Sequence, residues 1–94
     1  MAQRSALSAA KALEQAKGAA RVGQLRYSRH AEERMEERRV HVEDVRSALK
    51  SATKATWRPN DGNWKMSGGT DIDGASLDIG IAIDGNTVRV CTVY

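Results

Sequence analysis

The chain is 94 residues long, 40% hydrophobic and 29% charged, with no Phe, two Trp and a formal net charge of +3. That length suits one small domain around a single modest core, and the lone Cys91 excludes an internal disulfide and fits a reducing compartment. No stretch nears the roughly 18 apolar residues of a membrane span, and Arg4, Lys11, Glu14 and Lys17 interrupt any secretory hydrophobic block, so a soluble, cytoplasmic protein without a membrane partner is expected.

Residues 5–21 are Ala-rich with Lys and Glu interspersed, and Ala6, Ala9, Leu13, Ala16 and Ala20 recur at helical spacing from Ser5 onward. The stripe is thin, Gly18 weakens the helix and Gly23 stops it. Residues 1–24 are therefore expected to form the least firmly held element, ordered by a partner or by a second copy of the chain, ahead of a domain spanning 25–94. Ser28 is placed to cap a helix running to about Arg39. Val40 separates this from a short helix over 41–49, where Glu43 and Asp44 suit a first turn and His41 reads as a helix-start residue.

From Ala52 the pattern changes to four short β-rich runs, 53–58, 63–67, 75–83 and 87–94. The turn 59–62 sets Trp57 opposite Trp64, a pair that either packs a sheet or offers a ring to a base. A two-residue Gly85-Asn86 loop pairs Ile83 with Val88, Ile81 with Val90, Ile79 with Thr92 and Leu77 with Tyr94, putting all eight on the core face. The expected architecture is α+β, with N-terminal helices packed on one face of a four-stranded antiparallel sheet.

Charge is unevenly divided. Residues 1–58 hold 13 of the 15 basic and 7 of the 12 acidic groups, and residues 59–94 hold the remaining 2 and 5. A basic helical half suits a phosphate backbone or an acidic protein equally. Within it, His30, Arg34 and Arg38 share one side of a helix, Ala31 and Met35 lie on the adjoining flank, and Glu32, Glu33, Glu36 and Glu37 lie around the other. Like signs follow one another at i,i+4 here, where a solvated helix alternates them. Arg34 can reach Glu37, but Arg38 has no acid three or four residues away. Its partner is then another part of the fold, water or an anionic ligand. Thr92 and Tyr94 would add a hydroxyl and a phenol beneath this helix, unless Tyr94 only closes the core. No metal or cofactor is expected, since the two histidines are eleven residues apart and Asp71-Ile72-Asp73-Gly74 lacks the other ligands of a calcium loop.

The motifs His30-x-x-x-Arg34-Met35-x-x-Arg38, Val40-x-x-Glu43-Asp44-Val45-x-x-Ala48-Leu49, Trp64-Lys65-Met66-Ser67-Gly68, Asp73-Gly74-x-x-Leu77 and Val90-Cys91-Thr92-Val93-Tyr94 occur in that order. Together, over about 27–94, they resemble a bacterial domain-of-unknown-function family of RelE-like fold. The resemblance implies kinship with RelE and ParE toxins and with modules of polymorphic toxins. It further implies two helices on an antiparallel sheet, often ribonuclease activity, RNA as substrate, and an antitoxin or immunity protein as partner. The family's histidine maps onto His30, its arginines onto Arg34 and Arg38, and its terminal strand motif onto residues 90–94.

RNA cleavage by the adjacent 2′-hydroxyl needs a base, an acid and cations for the phosphorane, so a metal-independent endoribonuclease toxin is the leading expectation. In it His30 is base or acid, Arg34 and Arg38 stabilise charge, and Tyr94 supplies a proton or a stacking surface. Lys65 and Thr92 position the phosphate, and Trp64 offers a base platform. The alternative is a non-catalytic binding module whose basic helical half docks nucleic acid or an acidic protein. A third reading gives residues 1–24 a structural role, holding a homodimer together.

Overall fold

The computed structural model describes residues 7–94, so Ser5, Ala6 and the start expected for the first helix lie outside the described residues. Helix α1 (Ala9–Val22) begins at Ser8, whose hydroxyl accepts the Lys11 N–H at 3.2 Å, and ends at Gly23. Its buried stripe is Ala12, Ala16 and Ala20, with Leu13 and Ala19 partly buried, while Ala9 is exposed. Methyl groups alone make this stripe, which lets the neighbouring helix α3 (Val42–Ser51) come close. Arg46 on α3 donates to the carbonyls of Ala20 and Arg21 at 3.0 and 3.2 Å, covering the C-terminal end of α1. Lys17 donates to the Ala52 carbonyl at 2.8 Å. The described stripe of α1 is thus packed against α3 and the sheet.

Ser28 caps α2 (Arg29–Arg38), accepting the Ala31 N–H at 3.0 Å. Ala31 and Met35 are its buried residues, and Arg39 closes it with φ 55°, a left-handed position for a residue other than Gly. At the start of α3, Asp44 accepts the His41 N–H at 3.0 Å.

Five strands, not four, make the sheet, and it is mixed rather than antiparallel. β1 (Leu25–Tyr27), β2 (Lys54–Arg58), β3 (Asn63–Ser67), β4 (Ile79–Asp84) and β5 (Thr87–Val93) lie in the order β1-β5-β4-β3-β2. β1, absent from the sequence reading, runs parallel to β5 with Leu25 beside Val88 and Tyr27 beside Val90; the other pairs are antiparallel. β4 starts at Ile79 rather than at 75. The residues before it fold into a turn, in which the Asp71 carboxylate accepts N–H groups of Asp73 and Ala75, each at 2.9 Å.

The last hairpin follows the expected register only in part. Ile83 faces Val88 and Ile81 faces Val90, but Gly80 then faces Thr92 and Ile79 faces Val93. Cys91 is the extra residue of a β-bulge, and it reverses the alternation beyond it. Val93, not Thr92 or Tyr94, therefore joins Leu49, Met66, Ile79, Ile81, Val88 and Val90 in the core under α1 and α3. Thr92 and Tyr94 fall on the opposite face, with Lys65 and Arg89.

Ser28 ties α2 to this bulge. Its N–H donates to the Val90 carbonyl at 2.9 Å and its hydroxyl to the Cys91 carbonyl at 3.2 Å. Ser28→Ala removes both the cap and the hydroxyl tie, and is expected to lower stability by about 1 to 2 kcal/mol, read as a shift in the urea midpoint. Among the described residues no helix is long and apolar enough to cross a membrane.

Candidate active site

The cap at Ser28 fixes where α2 begins, and hence places His30 in its first turn and Arg34 one turn later. Both reach a cleft of about 460 Å³ between α2, the β2–β3 turn and the end of β5. Its other walls are Asp61, Asn63, Cys91, Thr92 and Tyr94. Arg34 is only loosely held, 3.5 Å from Glu37 with both side chains well exposed, an ion pair too weak to keep it from an incoming anion.

The Tyr94 ring lies against Gly80, the β4 residue that faces Thr92. Two cations flank it, the Lys65 ammonium at 5.2 Å and the Arg58 guanidinium at 5.5 Å from the ring centroid, both within cation–π range. Burial raises the Tyr94 pKa; nearby Arg58 pulls the other way, and Asp61, Cys91 and Asp78 add to the rise. The phenol accordingly stays protonated at neutral pH, a proton donor and not a base. Asp61 and Asp78 are themselves answered, Asp61 by Arg58 Nε at 3.1 Å and Asp78 by Lys65 Nζ at 3.6 Å. The Asn63 carbonyl oxygen Oδ1 is buried in the cleft wall with no partner among the described residues.

Of the residues singled out in the sequence, His30, Arg34, Thr92 and Tyr94 come together in this cleft, and Lys65 stands beside it across the Tyr94 ring. Arg38 does not. It sits in the last turn of α2, exposed and outside the cleft, about 12 Å along the axis from His30. Trp64 is 5% exposed and packs edge-on against Trp57 with centroids 5.3 Å apart, so as a base platform it is withdrawn: the ring is spent on the core. Asp61, Asn63, Cys91 and Arg58 were missed. For Arg58 and Asn63 a signal existed, because the register that sets Trp57 opposite Trp64 also sets Arg58 opposite Asn63.

The bulge makes this convergence. Without Cys91 as an extra residue, Thr92 and Tyr94 would point into the core, away from the cleft that His30 and Arg34 line. What the arrangement offers is a polar pocket able to take an anion: an imidazole, one loosely held guanidinium, a phenol kept protonated, and an Asp61 already paired with Arg58. Among the described residues no three His, Cys, Asp or Glu side chains gather to hold a metal ion.

None of the curated proteins matches this chain. Its residues 27–94, from the end of β1 through β5, match a family described as a domain of unknown function; with most of its length inside that match, the chain belongs to the DUF4258 family.

Proposed function

We propose that the chain is a metal-independent endoribonuclease of RelE-like toxin type, acting on RNA in the cleft between α2 and β5. The observation that carries this reading is that His30 and Arg34 line the same open cleft as Thr92 and Tyr94. Arg34 takes the scissile phosphate, and His30 removes the 2′-hydroxyl proton as that oxygen attacks phosphorus. Tyr94 gives its proton to the departing 5′-oxygen as the P–O5′ bond breaks, leaving a 2′,3′-cyclic phosphate. Thr92 hydrogen-bonds a phosphate oxygen, and Lys65 and Arg58 supply positive potential beside the phenol. Arg38, two turns from His30, serves a neighbouring phosphate and not the reacting one. An antitoxin or immunity protein is the partner such an activity calls for.

The test is purified protein incubated with cellular RNA in EDTA, with and without ribosomes. Cleavage to cyclic-phosphate ends is expected, lost in His30→Ala with an unchanged circular dichroism spectrum. Because the Tyr94 pKa lies above the ordinary value of 10.0, its contribution should persist until the pH passes that value. RNA left intact at high protein concentration in both conditions would overturn the reading. Salt-sensitive RNA binding that survives His30→Ala, again without cleavage, would instead establish a non-catalytic binding module.

A further inference from the structure

Helix α2 has a second cleft, on the flank away from Arg34 and of opposite character. It holds about 290 Å³, at the lower limit of the 300 to 1,000 Å³ or so of ordinary small-molecule sites. Met35 and Val40 make an apolar floor, Val42 stands 45% exposed at its edge, and Glu32 and Glu36, one helical turn apart, complete the rim with His41. These two carboxylates pair with none of the described cations, although Arg29 stands three residues before Glu32 and Arg39 three after Glu36. Tyr27 forms another wall, and its hydroxyl is buried without a hydrogen-bond partner among the described residues.

We propose that this cleft receives the side chain of an arginine or lysine presented by a partner protein. The aliphatic stem lies on Met35, Val40 and Val42, and the cationic head sits between Glu32 and Glu36. Charge complementarity selects the occupant: the chain is basic overall, yet this flank of α2 offers two unpaired carboxylates around an apolar floor. Size and surroundings select a protein as its source. The cleft holds one side chain, and a second exposed apolar residue lies close by. Ile72 is 62% exposed, and its N–H reaches Asp44 Oδ1 at 3.3 Å while the other oxygen of Asp44 holds the His41 N–H. Ile72 and Val42 therefore flank the start of α3, where residues on either side of an anchoring arginine would rest. Nothing in this depends on RNA cleavage, since the α2–β5 cleft shares no wall residue with this one.

The experiment titrates the full chain with n-butylguanidinium, with neutral n-butylurea, and with a short Leu-Arg-Leu peptide blocked at both ends, followed by backbone and methyl NMR. Saturable shifts centred on Tyr27, Met35 and Val42 are expected with the cation and not with the urea. The peptide should bind at least tenfold more tightly than butylguanidinium, and Glu32→Gln/Glu36→Gln should weaken both at least tenfold without altering the fold. Shifts that fail to saturate, or equal shifts with the urea, overturn the cation site. Equal affinity of peptide and butylguanidinium overturns the protein source. Sedimentation of the free chain completes the test: a mass that doubles with concentration, and reverts in Glu32→Arg, assigns the cleft to a second copy and overturns a separate partner.

Discussion

Gly69→Ala is expected to remove more than half of the protein's stability and to lower its urea midpoint accordingly. Gly69 is buried where the chain passes beneath α3, and a Cβ there would overlap the Ala48 carbonyl oxygen, with the Ala48 carbonyl carbon at 2.9 Å and the Ala52 nitrogen at 3.1 Å. All three atoms are backbone at the C-terminal end of α3, so no rotamer change relieves the overlap. Either the helix end moves or residue 69 does. Moving residue 69 strains the contact from Leu77 N–H to the Gly69 carbonyl, 3.2 Å, which leads the chain into β4. Overpacking of this kind costs about 3 kcal/mol or more, against a total stability on the order of 5 kcal/mol for so small a core. Urea unfolding followed by circular dichroism checks it. Gly18→Ala is the matched control: a Cβ at Gly18 meets nothing within 4 Å inside α1, and the same substitution should there stabilise by about 0.5 to 1 kcal/mol.

Gly80→Ala should produce the reverse pattern, a folded protein with a damaged site. A Cβ at Gly80 would lie 2.9 Å from Thr92 Cγ2, 3.2 Å from the Tyr94 hydroxyl and 3.4 Å from Tyr94 Cε2. These are side-chain atoms, so Thr92 can rotate and the Tyr94 ring can lift, at a stability cost of about 1 kcal/mol. Lifting the ring shifts the phenol within the cleft it shares with His30 and Arg34, where the proposed cleavage needs it. A displacement of about 1 Å at such a centre costs on the order of 10²-fold in rate. If RNA cleavage falls that far while the unfolding midpoint barely shifts, the position of Tyr94 is what matters; unchanged cleavage would remove Tyr94 from the mechanism.

Local signals made much of this molecule legible. The Ser28 cap, the helical spacing of Ala31 and Met35, and the Gly85-Asn86 turn located α2 and the first half of the last hairpin, because each acts within a few residues. Bulge and edge strand were not legible in the same way. β1 is three residues long and gains its identity only by pairing with Leu25's neighbour Val88, far away in sequence. The bulge left one trace, Val93 falling out of step with Val88 and Val90, and strict alternation read past it. That error moved Thr92 and Tyr94 to the wrong face while still bringing them to α2. For Arg38 the helical wheel gave direction and not distance, and three residues on one stripe do not all reach one point. Trp64 was legible as a cross-strand partner of Trp57, and its burial follows from that pairing.

The place of β5 between β1 and β4 sets an order of events. Ser28 has no Val90 or Cys91 carbonyl to hold, and β1 has no neighbour at all, until β5 arrives from 63 residues further along the chain. Closing so long a loop is slow, whereas the β4–β5 hairpin closes across two residues, so a β2–β3–β4–β5 sheet can form while β1 and α2 are still undocked and the α2–β5 cleft is incomplete. The cleft thus depends on a long-range contact, the docking of Ser28 and β1 on β5, and not on any local element.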